Sequence, residues 1–239
     1  MHVVLDAFNA PPSLRIAARI LGWPFAWLGL KGDPKLPPAP RALTALGPAY
    51  IKFGQILSTR PDMVGDEMAM QMRFLQDKLP PFSIEEAKRT IELELGKPVD
   101  VLFSEFSEPV AAASIAQVHH ARIRESGRDV AVKVLRPGIE KAFRKDIDAF
   151  YFAAGLIELL SPSSRRLRPS AVIEHFEGVV NGELDLRMET SSAAEFAANT
   201  EKDEGFQVPK VEWFLSGRRA MTLGWAEGVP ASDIAAIEA

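Results

Sequence analysis

The first hundred residues space their apolar positions as helices do. Apolar residues three or four positions apart predict helices over 41–60 and 65–78, with the Gly-Pro pair at 47–48 as a candidate break in the former. Ser83 and Glu86 form a capping-box pattern, in which each residue satisfies a backbone amide at a helix start. A third helix is therefore expected from residue 84 onward, and the first hundred residues are predicted to be essentially all helical.

The pattern changes beyond residue 100. Alternating apolar positions and turn residues predict strands at residues 101–106, 116–124, 129–135, 207–213 and 219–223. Helices are predicted at 138–160 and, after a basic loop, from Pro169 to about residue 202 as one long helix. The order of elements indicates an α+β protein with a small antiparallel sheet.

Residues 1–40 differ from both parts. The segment 16–30 carries Trp23, Phe25 and Trp27 beside cationic side chains, and a proline-rich linker follows at 33–40. That composition suits a segment lying on a membrane surface, and it equally suits a helix docked on the rest of the protein. No apolar run reaches the length of a spanning helix, and no basic region precedes an apolar stretch as in a signal peptide.

Composition excludes several kinds of site. The 239 residues include 28 Lys and Arg against 32 Asp and Glu, a net charge of −4, which argues against a general nucleic-acid binder. There is no cysteine, so disulfides, thiol catalysis and cysteine-ligated metals are excluded. The four histidines show no metal-ligand spacing, and a cytoplasmic location is the expectation.

Two motifs point to nucleotide phosphates. Ala111, Ala113 and Ala116, followed by Val118, have the spacing at which protein kinases place the glycines and valine of their phosphate loop. A Val-Ala-Val-Lys strand ending at Lys133 follows, as the phosphate-pairing lysine does in kinases. Since alanine restricts the positive φ and close approach that glycine allows, this loop is expected to hold phosphate less closely.

A lysine in that position needs a carboxylate from a neighbouring helix. In a continuous long helix Asp185 and Glu189 would share a face, with Glu183 on a different face. Farther upstream, Lys52 and Gln55 are three residues apart and would project from one face of a helix. Taken alone, each of these spacings is equally typical of an ordinary ion pair on a helix surface or of solvent-exposed polar side chains.

Together and in this order, these motifs resemble the UbiB/AarF family of atypical kinase-like proteins of ubiquinone biosynthesis. The resemblance implies a kinase-like N-lobe with an all-helical N-terminal extension. By the same resemblance Lys133 would pair with Glu189, while Lys52 and Gln55 would lie near Glu183 and Asp185. The positions implied to contact nucleotide are Ala111, Ala112, Ala113, Ser114, Val118, Lys133, Glu189, Leu223 and Ala226.

The resemblance also divides the chain into residues 1–40, a helical extension at 41–100 and a kinase-like lobe at 101–239. Kinase catalytic-loop and metal-binding aspartate motifs are not found, so the C-terminal lobe is expected to be missing, together with the ligands of Mg²⁺. Gly224 stands where the family carries an acidic residue, and it is expected to loosen the linker that contacts adenine.

Two functions remain open at this point. The first is a UbiB-like kinase or ATPase that binds ATP or ADP with Mg²⁺ and supports ubiquinone biosynthesis, here without its catalytic residues. The second is a non-catalytic scaffold or lipid-binding module at the membrane, peripheral at the inner membrane, with lipid or biosynthetic enzymes as partners.

The segment 16–30 is expected to give peripheral membrane affinity because its aromatic side chains suit the lipid interface. Flotation with anionic liposomes should recover more of the full chain than of a chain starting at Asp33. Equal flotation of the two proteins would remove this role from the segment.

Overall fold

The computed structural model describes residues 35–75 and 80–229. The chain divides into two compact units. The helical unit contains the described residues up to Pro80 together with 113–115 and 138–181, and the sheet unit contains 81–112, 116–137 and the described residues from 182 onward. The predicted membrane segment at 16–30 lies outside the described residues.

The helices are α1 (Pro38–Leu46), α2 (Pro48–Ser58), α3 (Pro61–Val64), α4 (Asp66–Met72), α5 (Ile84–Leu95), α6 (Val99–Leu102), α7 (Ile139–Leu160), α8 (Pro169–Glu183) and α9 (Leu186–Asn199). The strands are β1 (Phe103–Ala112), β2 (Ala116–Ile123), β3 (Asp129–Leu135) and β4 (Ala220–Gly224). Two 3₁₀ segments occupy Pro162–Leu167 and Trp213–Leu215. Within the described part of the chain, no helix has the length and apolar character needed to cross a membrane.

The predicted break at 47–48 is present. Gly47 has φ +130°, a conformation that favours glycine, and Pro48 starts α2 at a position where its missing amide hydrogen is not needed. The linker ends earlier than predicted, because α1 already begins at Pro38. Proline is tolerated in the first turn of a helix, so the proline-rich sequence does not prevent this start.

The helical unit packs closely around Gly54 of α2. A Cβ atom at this position would lie 2.9 Å from Leu43 Cδ1 and 3.3 Å from Met72 Sδ, and it would clash with Leu75 Cδ1. These side chains contribute to the core of this unit, where Met72 and Leu75 are buried. Gly54 therefore lets α1 and the end of α4 approach the backbone of α2.

The aromatic rings of the helical unit form a second cluster. Phe53 lies 5.0 Å from Phe150 and 5.2 Å from Phe176, and Tyr50 lies 4.7 Å from Phe150. Such tilted and edge-on contacts are the favoured geometries of aromatic pairs. The cluster fixes α2 against α7 and α8.

The sheet unit is built on four antiparallel strands in the order β1-β2-β3-β4. One face is buried against α5 and forms the core of this unit, made of Ile91, Val99, Phe103, Ala121, Ile123, Val130, Val132, Val134 and Ala220. The alternation of buried and half-exposed residues along β2 and β3 follows from the two-residue period of a strand. The opposite face is left half-exposed.

Buried polar groups join β2 to its surroundings. His119, with no solvent exposure, has Nδ1 2.8 Å from the Ser107 carbonyl oxygen and Nε2 2.9 Å from Gln117 Nε2. The Gln117 amide also donates to the Phe82 carbonyl and accepts from the Phe82 amide. A neutral imidazole with its proton on Nδ1 satisfies all of these contacts, whereas a proton on Nε2 would oppose the Gln117 amide.

Four predicted elements differ from the observed ones. The helix predicted over 65–78 already ends at Met72, as α4. Residues 101–102 belong to α6, so the first strand begins at Phe103, and it extends beyond the predicted end at residue 106 to Ala112. The segment 207–213 is not a strand, and it contributes one isolated bridge from Val211 to Leu223. The long helix from Pro169 is interrupted at residues 184–185, because Asp185 is the N-cap of a new helix and buried Leu184 lies in the break.

Replacing Gly54 by alanine should destabilise the protein by about 1–3 kcal/mol, because the added methyl group overpacks the core between α1, α2 and α4. Gly178→Ala is the matched control, since a Cβ there meets nothing within 4 Å on α8. The control should raise stability by about 0.5–1 kcal/mol. Urea denaturation of both variants measures the difference, and equal stabilities would contradict the packing role of Gly54.

Burial lowers the pKa of His119 below its ordinary 6.5, against a smaller raising effect of the Ser107 carbonyl. As the pH falls, the unfolded chain therefore takes up a proton on His119 before the folded protein does. The free energy of unfolding should decrease as the pH drops from about 7.5 to 5.5. His119→Gln should flatten that dependence, while His175→Gln, on an exposed ring of α8, should keep it. Urea denaturation across this pH range measures the free energy of unfolding of the three proteins. The same pH dependence in His119→Gln as in the wild type would refute the role of His119.

Candidate functional site

The half-exposed face of the sheet presents one row of side chains across three strands. Val118 of β2 is paired with Lys133 of β3, and Lys133 is paired with Met221 of β4. Directly opposite residues in antiparallel strands point to the same face, so these side chains share it. The neighbouring row pairs Ala131 with Leu223. His120 of β2 is paired with Ala131 and completes this second row. Apart from His120 and the cation Lys133, the side chains of the two rows are small or apolar.

A carboxylate from α9 binds that cation. Lys133 Nζ lies 2.8 Å from Glu189 Oε1 and 2.6 Å from Oε2, so the ammonium contacts both oxygens. The Lys133 side chain is 29% exposed and that of Glu189 is 50% exposed. The structure thus contains the predicted ion pair, in a position that solvent still reaches.

The start of α9 places Glu189 at this distance. Leu186 is buried, and its amide donates to the Arg218 carbonyl oxygen at 2.9 Å, which ties the first turn of α9 to the loop before β4. Thr190, on the next turn, is buried and donates to the Leu186 carbonyl oxygen. Glu189 lies between these anchors, in the first turn of the helix.

Asp185 does not share a helical face with Glu189, as a continuous helix would have required. It caps α9 instead, and its Oδ1 accepts from the Arg187 amide at 3.1 Å. Its carboxylate also accepts from the Arg187 side chain, and this hydrogen bonding holds the pKa of Asp185 below its ordinary value. Asp185 therefore positions the start of the helix that carries Glu189.

The alanine-rich segment lies at the turn between β1 and β2. Ala111 and Ala112 are the last residues of β1, paired with Val118 and Gln117. Among the described residues that are not glycine, only Arg168 has a positive φ, so Ala113 keeps the ordinary conformation that alanine favours.

Residues 113–115 belong to the helical unit. Ser114 is 2% exposed, and its contact with nucleotide stays a prediction.

The far end of the same sheet face is held by backbone bonds. The Gly224 amide donates to the Lys210 carbonyl oxygen at 2.8 Å, and the Trp225 amide donates to the Asp129 carbonyl oxygen at 3.1 Å. Trp225 also contacts the His120 ring edge-on at 4.7 Å. The two backbone bonds, one at Gly224 and one at Trp225, hold the segment that leads from Leu223 to exposed Ala226.

The other motif residues are divided between the two units. Lys52 and Gln55 belong to the helical unit, where Gln55 Nε2 donates to the Leu75 carbonyl oxygen at 3.0 Å. Glu183 and Asp185 belong to the sheet unit. The proximity of these two pairs stays a prediction, while the bond to Leu75 shows that Gln55 also holds the end of α4 to α2.

Sequence reasoning missed two residues of this face. Ala131 lies two positions before Lys133 on β3 and therefore shares its face, a relation that the strand alternation could have revealed. Trp225 is brought there by its backbone bond to Asp129, for which the sequence holds no signal. In the ranges 35–75 and 80–229, no three His, Asp or Glu side chains are grouped so that they could hold a metal ion.

Comparisons with known proteins agree with this geometry. The family model of the ABC1 atypical kinase-like domain matches residues 74–239. A probable protein kinase UbiB of Marinobacter nauticus is 42% identical over 242 residues, with 98% of this chain and 43% of the relative covered. Another, from Aliivibrio fischeri, is 43% identical over 198 residues, with 82% of this chain and 36% of the relative covered. The chain thus spans less than half the length of these relatives.

A solved structure shares the fold. The complex of Rv3197 with erythromycin from Mycobacterium tuberculosis superposes with a TM-score of 0.56 at 31% identity, covering 93% of this chain and 52% of that one. The predicted α+β, kinase-like fold is confirmed by this match, and the resemblance to UbiB proteins is confirmed by the relatives. The chain belongs to the ABC1 atypical kinase-like family, among the UbiB-type proteins.

Proposed function

We propose that the chain binds an adenine nucleotide on the half-exposed face of its sheet. The phosphates would contact Lys133, with Glu189 holding the ammonium in place, and the base would lie against Val118, Ala131 and Leu223. The observation that carries this proposal is the ion pair of Lys133 with Glu189 at 2.6–2.8 Å, set in an otherwise uncharged row of side chains. A kinase-like fold places its phosphate-binding lysine in the same way.

Stability gives little reason for this ion pair. Exposed pairs contribute about 0–1 kcal/mol, and both partners here retain substantial exposure. A charged pair at such a position is better accounted for by a ligand whose negative charge the lysine can share. The glutamate then keeps the ammonium oriented when the site is empty.

The alanine side chains at the turn between β1 and β2 would keep its backbone amides from binding phosphate closely. Ala111, Ala112 and Ala113 occupy the part of the chain that would cover the phosphates, and Cβ atoms keep backbone amides from the closest approach that glycine permits. The base would meet backbone groups between Leu223 and Ala226, which the bonds of Gly224 and Trp225 hold in position.

The activity of the longer relatives is a further inference. Their name, probable protein kinase UbiB, favours ATP with Mg²⁺ as the nucleotide and phosphoryl transfer or hydrolysis as the reaction. The same name implies a role in ubiquinone biosynthesis. For this chain we propose that the described residues bind the nucleotide, and that Lys133 and Glu189 form the phosphate-binding site.

Lys133→Ala should weaken ADP binding at least tenfold, because one charge-assisted contact to phosphate is worth about 1.5–3 kcal/mol. Its stability should change by less than about 1 kcal/mol, since the ion pair is exposed. Calorimetry with ADP, with Lys97→Ala as the control for loss of an exposed lysine in the same unit, measures the effect. Equal affinities of the two variants would refute the role of Lys133.

Ala113→Gly should tighten ADP binding about tenfold, because removal of the methyl group lets the turn approach a phosphate oxygen more closely. The opposing loss of folding stability is about 0.5–1 kcal/mol. Ala112→Gly is the control, since Ala112 is held in the β1 ladder opposite Gln117 and should gain less. Unchanged or weaker binding by folded Ala113→Gly in calorimetry would mean that this alanine serves packing alone.

A further inference from the structure

The end of α5 is joined to the loop before β4 by a carboxylate. Glu94 lies in the last turn of α5, and its half-buried side chain accepts a hydrogen bond from the Arg218 amide through Oε1. The two residues are 124 positions apart in the chain. A hydrogen bond to an ionised carboxylate is stronger than one between neutral groups, so Glu94 can hold this loop against α5.

The residue before Arg218 is a glycine that makes room for this carboxylate. A Cβ atom on Gly217 would lie 2.9 Å from Glu94 Cγ and 3.0 Å from Glu94 Cδ, and it would clash with Oε1. Gly217 is not among the glycines with positive φ, so its backbone conformation is open to other residues as well. The space left by the missing side chain is therefore occupied by the Glu94 carboxylate.

Arg218 connects this contact to α9. Its carbonyl oxygen accepts from the amide of Leu186, the first residue of α9, at 2.9 Å. The amide and the carbonyl group of one residue thus join the end of α5 to the start of α9, and all of these residues belong to the sheet unit. Glu189 lies in the same first turn of α9, so a shift of this turn would move the carboxylate that binds Lys133.

The charge of Glu94 also acts on the cap of α9. The Arg187 side chain donates to both oxygens of the Asp185 carboxylate, and this hydrogen bonding raises the pKa of Arg187, with a smaller contribution from the charge of Glu94. Glu94 therefore lies close enough to the first turn of α9 to attract the side chain that binds its N-cap.

We propose, on the basis of the nucleotide site inferred above, that Glu94 and Gly217 position the Glu189 carboxylate against Lys133 and so set the affinity of the site for nucleotide phosphates. Both are positioning residues, which act through Arg218 and the first turn of α9. A Lys133 ammonium that Glu189 already holds loses less side-chain freedom when phosphate binds, and this preorganisation favours binding.

Glu94→Ala removes the acceptor of the Arg218 amide, whereas Glu94→Gln keeps a carbonyl oxygen that can accept the same bond. Glu94→Ala should bind ADP about fivefold more weakly in calorimetry, because ordering one long side chain on binding costs about that factor. Glu94→Gln should restore most of the affinity. Glu125→Ala, at an exposed carboxylate of the same unit, is the control and should bind ADP as the wild type does. Equal affinities of Glu94→Ala and this control would overturn the role of Glu94.

Gly217→Ala tests the same contact from the other side, and it does so even if Glu94→Ala fails to fold. The added methyl group should displace the Glu94 carboxylate and weaken ADP binding about as much as Glu94→Ala does. In the Glu94→Ala background the glycine substitution should weaken binding no further, because the group that it displaces is already absent. Losses that multiply in the double variant would show two separate effects and overturn the proposal.

Hydrogen exchange of the Leu186 amide, followed by NMR without nucleotide, measures the link to α9 independently of ADP. Glu94→Ala should speed this exchange about tenfold, since the Arg218 carbonyl oxygen is then held less firmly, and Glu94→Gln should not. Unchanged exchange and unchanged ADP affinity in Glu94→Ala would overturn the positioning role and leave the nucleotide site intact. A wild type that binds no ADP would instead refute the nucleotide site, and the effect on affinity with it.

Discussion

The burial of one face of the four-stranded sheet under α5 is the constraint on which the site depends. Strands alternate their side chains, so burying Val130, Val132 and Val134 places Ala131 and Lys133 on the other face. The antiparallel register then brings Val118 beside Lys133. A lysine in the middle of an apolar strand is thus presented to a ligand by the same packing that stabilises the sheet.

The register of the sheet is itself held by buried polar contacts. Gln117 and His119, neighbours of Val118 on β2, connect that strand to Phe82 before α5 and to Ser107 of β1. A slip by one residue would bury Lys133 and expose its apolar neighbours, and it would leave these polar groups without partners. The polar contacts therefore specify the pairing that burial alone only favours.

The break between α8 and α9 is the second local event with a consequence for the site. In a continuous helix, the position of Glu189 would follow from the axis of α8. Because Asp185 caps a new helix, the position of α9 is set instead by its hydrogen bond to the Arg218 carbonyl oxygen. Hydrogen bonding lowers the pKa of Asp185, so its carboxylate stays charged and continues to cap the helix at neutral pH. The cap thus supports the carboxylate that pairs with Lys133.

The amino-acid sequence by itself determined the α+β class, the helix start at Ser83, the strand from residue 129 to 135 and the pairing of Lys133 with Glu189. The class, the helix start and the strand follow from local sequence patterns, which depend on residues close together in the chain. The ion pair follows from the order of the motifs and the family resemblance that this order supports. Only the tertiary structure decided the helix break at 184–185 and the place of Trp225. Each depends on a partner far away in sequence, such as the Arg218 carbonyl for Leu186 or the Asp129 carbonyl for Trp225, and local periodicity does not record such contacts.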